Sequence, residues 1–244
     1  MTKLKWLCLG GLVFTAQAIA ADLSLSAGYW DYLVKGTVER NGITQDFQND
    51  LGVQAERHEL LAFALDTGEG WWRPDVSASY TPIKASGQRM VQSGGSVLIP
   101  GSTTLVKGDA DLKDIDLTLR FPAQLANVTV WGGITIKYLN GTLISQNSSD
   151  TVEDNQSINQ TFPMFHLSAR VAPLSWLVLT AQGNAIKYQD DSANDICAAF
   201  SFGGFGPIGL DLGWKRNNYK INQQNFKLDT TLSGLFIGAS ASLP

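Results

Sequence analysis

Hydrophobic and polar residues alternate with a period of two over much of this chain, and the clearest run lies between residues 161 and 220. There Phe165, Leu167, Ala169 and Val171 alternate with His166, Ser168 and Arg170, which gives a β-strand one apolar and one polar face. Leu177, Leu179 and Ala181 set against Thr180, Gln182 and Asn184 predict the next strand. Ile196, Ala198, Phe200 and Phe202 against Asp195, Cys197, Ala199 and Ser201 predict a third. Ile208, Leu210, Leu212 and Trp214 against Gly209, Asp211, Gly213 and Lys215 predict a fourth. Pro173 and the stretches 190–194 and 203–207 supply turn chemistry between them.

The same pattern predicts six more strands. Leu23, Leu25, Ala27 and Tyr29 alternate with Ser24, Ser26, Gly28 and Trp30, and a second run covers residues 58–65. In a third, Trp72, Val76, Ala78 and Tyr80 share one face while Arg73, Asp75, Ser77, Ser79 and Thr81 share the other. Ile115, Leu117, Leu119 and Phe121 then oppose Asp114, Asp116, Thr118 and Arg120, and Val128, Val130, Ile134, Ile136 and Tyr138 oppose Thr129, Trp131, Thr135 and Lys137. A last run from Phe226 sets Leu228 and Leu232 against Lys227, Asp229, Thr231 and Ser233.

Ten strands are therefore expected, and their connections sort by parity. Links after even strands are short, whereas those after odd strands vary and include long polar segments near residues 35–56, 86–108 and 145–159. Alternation alone suits either a sheet packed on a soluble core or a barrel with its apolar face in lipid. The sorting decides for the barrel, because transmembrane β-barrels join an even number of strands by short turns on one side and longer loops on the other. The predicted class is all-β, a transmembrane antiparallel up-and-down β-barrel.

The beginning of the chain agrees. Lys3 and Lys5, an apolar run over residues 6–14 and the small residues up to Ala18-Ile19-Ala20 predict a cleaved signal peptide at 1–20 and a barrel domain at 21–244. The apolar run is too short to span a bilayer as a helix. Removing that leader leaves Cys197 as the single cysteine, with no intramolecular disulfide, and makes the remainder more acidic than the net −4 of the whole chain. Nucleic acid is not an expected partner.

Two sets of residues follow from the barrel reading. Trp72 and Tyr80 stand eight residues apart on the lipid face, and with Tyr29, Tyr138 and Trp214 they are candidates for aromatic girdles at the membrane interfaces. The opposite face carries Arg73, Asp75, Asp114, Asp116, Arg120, Arg170 and Asp211, together with Lys137, Lys215, Lys227 and Asp229. Arg73, Asp75, Arg120, Arg170 and Asp211 fall toward the short-turn end of their strands, and Asp114 and Asp116 begin theirs. Long side chains of both signs in a narrow barrel reach one another and pair, since an unpaired charge in a dry lumen is costly. A plugged lumen is expected.

Candidate chemistry is sparse. His58-Glu59 opens like a zinc-protease motif, but Ala62 stands where the second His is required. His166 and Ser168 share a strand face, as nucleophile and base do in some outer-membrane hydrolases, with no third group evident to orient the base. The acidic turn at 190–195 lacks the Gly and distal Glu of a calcium loop. No catalytic residue, metal or cofactor is assigned; an outer-membrane enzyme and a small-solute channel are the alternatives to a structural or surface-interaction barrel.

Several short stretches carry a resemblance. Gly28-Tyr29-Trp30, Asp50-Leu51-Gly52, Pro163-Met164, Ala169-Arg170-Val171 with Pro173, Gly183-Asn184 through Tyr188, and Gly209-Leu210-Asp211-Leu212-Gly213-Trp214 resemble a family of small proteobacterial outer-membrane β-barrel proteins whose function is not established. The resemblance implies a Gram-negative cell-envelope location, contact with outer-membrane lipids and lipopolysaccharide, and insertion by the barrel assembly machinery. Such barrels commonly end on an aromatic residue, where this chain reads Ser242-Leu243-Pro244.

Overall fold

A computed structural model describes residues 22–40, 42–54, 56–67, 73–93, 102–147, 154–205 and 207–243. The expected leader at 1–20 and Trp72 lie outside the described residues. Among the described residues eleven strands form: β1 (Asp22–Arg40), β2 (Ile43–Asp46), β3 (Glu56–Asp66), β4 (Asp75–Ser93), β5 (Ser102–Leu125), β6 (Val128–Asn147), β7 (Asp154–Leu174), β8 (Leu177–Tyr188), β9 (Asp191–Phe205), β10 (Ile208–Gln223) and β11 (Phe226–Leu243). Ten of them make the wall. Consecutive wall strands pair antiparallel, and β11 closes on β1 from Leu23↔Leu243 to Arg40↔Phe226. The short β2 only folds back on the end of β1.

The strands run well past their expected ends. Residues 86–93 and 102–108, expected as loop, form one hairpin from Asp75↔Arg120 up to Ser93↔Ser102. The segments near 35–56 and 145–159 are likewise partly strand, through β1, β2, β6 and β7. Their turn-like composition misled because here the polarity of the two faces is exchanged. In the lower part of β5, Ile115, Leu117, Leu119 and Phe121 point outward while Asp114, Asp116 and Thr118 are buried inside. Further up the same strand, Lys107, Asp109, Asp111 and Lys113 point outward while Gly108 and Leu112 are buried.

Every long strand repeats this exchange. On β7, Phe165 and Leu167 are exposed below, and Ile158, Phe162 and Met164 are buried above. On β11, Leu235 and Ile237 are exposed below, and Phe226, Leu228 and Leu232 are buried above. Lys227 and Asp229, expected in the lumen, consequently face out, and Lys227 pairs with Glu39 at 2.9 Å on the outer surface. The lower half has an apolar band of the kind that meets lipid and a polar interior; the upper half has a polar exterior and an apolar core.

Among the described residues, tight turns at the lower end join β5 to β6 and β7 to β8. At Leu125 to Val128 the turn residue Ala126 sits at φ 52°, a left-handed conformation in which glycine is cheaper. At the opposite end, β8 and β9 are also joined tightly, with Gln189 at φ 54°.

Candidate functional site

Pairing register brings the polar side chains of the lower half into layers across the lumen. On neighbouring strands Asp116 stands opposite Lys137, Asp195 opposite Asn217, and Asn184 opposite both His166 and Asp195. Lys137 is fully buried, and its Nζ lies 2.9 Å from Asp114 Oδ1, 2.7 Å from Asp116 Oδ1 and 3.0 Å from Asp195 Oδ2. Asp114 also accepts hydrogen bonds from Asn217 Nδ2 at 3.0 Å and from the Tyr219 hydroxyl at 2.7 Å. Because β5 and β10 lie on opposite sides of the ten-stranded wall, these bonds cross the barrel. Lys215 adds a second cation on β10, 5.1 Å from the centre of the Trp30 ring and 3.4 Å from Thr81 Oγ1 on β4.

Below this layer the network continues. Arg120 pairs with Asp66 at 3.0 Å and lies 4.8 Å from the centre of the Trp131 ring, whose Nε1 donates to Asp75 at 2.8 Å. A polar cavity of about 180 Å³, bordered by Asp116, Arg120, His166, Gln182 and Asn184, occupies the lower lumen.

Of the charges expected in one cluster, Asp114 and Asp116 join the Lys137 site, and Asp75 and Arg120 form a separate group beneath it. Asp114 and Asp116 sit in the middle of β5, not at its start, because that strand begins at Ser102. Arg170 has the inward parity but is exposed near the lower end of β7, Asp211 is half-buried on β10, and Arg73 lies just before β4. None of these three is part of the Lys137 cluster. Among the aromatics, Tyr29, Tyr80, Tyr138 and Trp214 share one feature: each faces out where the exterior turns from apolar to polar. Asp31 follows Tyr29, Lys84 lies two outward positions beyond Tyr80, Asn140 follows Tyr138 and Arg216 follows Trp214. Tyr80 and Tyr138 flank Ile115 in one cross-strand row.

The third group missing from the His166–Ser168 pair is Asn184. Its Oδ1 is 2.7 Å from His166 Nδ1 and also accepts from Thr135 Oγ1 at 2.9 Å, while His166 Nε2 is 2.9 Å from Ser168 Oγ. An acceptor at Nδ1 places the ring proton there and leaves Nε2 to accept from the serine. Only the pairing of β7 with β8 reveals this, since Asn184 lies 18 positions from His166. The spacing is that of nucleophile, base and orienting group. Access is not: Ser168 is 3% exposed and does not border the cavity. The folded barrel should therefore keep its unmodified mass after diisopropyl fluorophosphate treatment. A phosphorylated product that disappears with Ser168→Ala would show instead that a substrate can reach this serine.

Comparison with known proteins bears on the fold. No protein-family model matches the sequence, and no curated protein matches it. Among solved structures, the chain is similar to the outer membrane protease OmpT from Escherichia coli, with 9% identity and a TM-score of 0.57 over 94% of this chain and 99% of that one. The chain has the fold of an outer-membrane β-barrel. At 9% identity this likeness concerns the fold alone. The attachment invasion locus protein Ail of Yersinia pestis is also similar, at 14% identity and a TM-score of 0.38 over 91% of this chain and 99% of that one. The translocator domain of the autotransporter NalP from Neisseria meningitidis has 9% identity and a TM-score of 0.43, covering 93% and 90% respectively.

Proposed function

We propose that this barrel serves a structural or surface-interaction role in the outer membrane, with a lumen closed to ions. One observation carries the closure: Asp114 on β5 is bonded directly to Asn217 and Tyr219 on the opposite wall, with Lys137 held among three carboxylates at the same level. A selective pore favours a ring of one sign, whereas paired opposite charges with satisfied donors fill space. Ten strands also make a barrel far narrower than the sixteen or more of aqueous porins.

In this reading a cleaved leader at 1–20 exports the chain, and the barrel assembly machinery inserts it. Tyr29, Tyr80, Tyr138 and Trp214 anchor it at the outer lipid interface, in contact with lipopolysaccharide. The upper half, with its outward Lys107, Asp109, Asp111 and Lys113, stands clear of the membrane as the interacting surface.

Planar-bilayer recording with purified protein tests the closure. The expected record shows no steady conductance at either polarity. A large, ion-selective conductance would overturn the plug, and reversal of that selectivity by Arg120→Glu would show that these charges line a pore.

A further inference from the structure

The wall of the upper half is interrupted between β3 and β4. Among the described residues their ladder covers only Leu61–Leu65 with Val76–Tyr80, and a single bridge, Val53↔Gly87, closes it again higher up. In an unbroken register Lys84 would face the backbone of Arg57. Side chains occupy that place instead. The Tyr32 hydroxyl, reaching from β1, donates to Lys84 O and accepts from Lys84 N, both at 3.0 Å. His58 Nε2 lies 2.9 Å from Lys84 O and 3.0 Å from Glu56 Oε2, while Glu56 Oε1 accepts from Ser86 N at 2.7 Å and from Ser86 Oγ at 3.0 Å. The Tyr32 and His58 rings pack with centroids 5.7 Å apart.

Directly behind this seam is an apolar cavity of about 50 Å³. Ile83 and Ala85, the inward neighbours of Lys84, form one wall; Leu112 and Leu228 stand elsewhere around it, and Leu51 of the segment after β2 borders it too. A cavity lined this way stays dry and takes apolar guests; benzene or xenon enters one of about 150 Å³. The smaller volume here suits a xenon-sized guest or a short alkyl segment.

We propose that this cavity binds a small apolar molecule, admitted sideways through the β3–β4 seam, with Tyr32, Glu56 and His58 as the latch. Two independent features meet in it, a preformed apolar chamber and the one stretch of described wall beside it where side chains replace strand pairing. A backbone ladder opens only by unzipping, whereas a latch of side-chain hydrogen bonds opens by rotamer changes. The seam begins immediately above Tyr80, at the level where the outer surface turns from apolar to polar, so molecules dissolved in the outer leaflet meet it directly. The inference does not depend on whether the lumen conducts ions.

Thiol accessibility tests it. Ala85→Cys in a Cys197→Ala background puts a thiol in the cavity wall, and methyl methanethiosulfonate, small and neutral, is the probe. Modification is expected with the neutral reagent and not with its trimethylammonium-ethyl relative. Adding Tyr32→Phe, which keeps the ring and removes both latch bonds, should raise the rate roughly tenfold. Pre-equilibration under xenon should slow it. A rate unchanged by Tyr32→Phe would rule out the seam as the door, equal reaction with the cationic reagent would show a watery route, and indifference to xenon would rule out apolar occupancy. Leu112→Cys, on another wall, serves in the same assay if Ala85→Cys fails to show the heat-modifiable mobility of a folded barrel.

Discussion

Replacing Lys137 with methionine will destabilise the barrel by about 3–5 kcal/mol, the usual cost of removing one partner from a buried ion pair. Methionine fills most of the volume, so the loss is electrostatic. It leaves Asp114, Asp116 and Asp195 facing one another with their shared cation gone and Lys215 at the Trp30 ring as the remaining cation on that layer. Urea titration of the heat-modifiable gel shift measures the loss. Combining Lys137→Met with Asp116→Asn and Asp195→Asn removes charges of both signs and should recover much of the stability, because neutral groups can exchange hydrogen bonds where carboxylates only repel. A single Lys137→Met variant as stable as the parent would mean that the carboxylates are solvated and the lumen open.

Gly234→Ala should stop the barrel closing. Gly234 pairs with Tyr32 across the junction of β11 and β1, and an added Cβ would lie 1.7 Å from Asp31 O and 2.7 Å from Tyr32 Cα. Both are backbone atoms, so no side chain can rotate away, and relief requires the closing strands to separate. Gly132→Ala is the control, since a Cβ there meets nothing within 4 Å. The expected outcome is loss of the heat-modifiable form for Gly234→Ala and none for Gly132→Ala. Equal folding of the two would show that β1 and β11 meet in another register.

The lipid-facing half of each strand was legible because its rule is the simplest one, large apolar residues at every second position. Phe165-x-Leu167 and Leu210-x-Leu212-x-Trp214 fix both the strand and the face. The upper half hides the same period behind small and turn-forming residues. Gly87 and Gly108 fall at pairing positions where bulk does not fit, since a Cβ on Gly87 would lie 2.4 Å from Leu51 O and one on Gly108 would lie 3.2 Å from the Leu51 side chain. They read as loop residues.

Lys227 and Asp229 face outward, against the alternation rule, for a related reason. Charge signals the lumen only within the membrane; above it, charge belongs outside and Leu228 belongs inside. Within the candidate site, the membership of Asp114 and Asp116 follows from parity, but the partners do not. That Asp114 meets Tyr219 and that Asn184 completes the His166–Ser168 network depends on register and on which strands oppose each other across the barrel. Alternation along one strand carries neither.

The exchange of polarity along the strands is the feature from which the proposed membrane position and the exposed upper half follow, and β5 displays it within a single strand. Nitroxide labels at Leu119, Leu117, Lys113, Asp111 and Asp109, introduced one at a time through cysteine in a Cys197→Ala background and read in bilayers, test it most directly. Collision with oxygen should dominate at Leu119 and Leu117, collision with a water-soluble nickel complex should dominate at Asp111 and Asp109, and the crossover should fall near Lys113. Nickel accessibility at all five positions, or oxygen dominance persisting to Asp109, would contradict it.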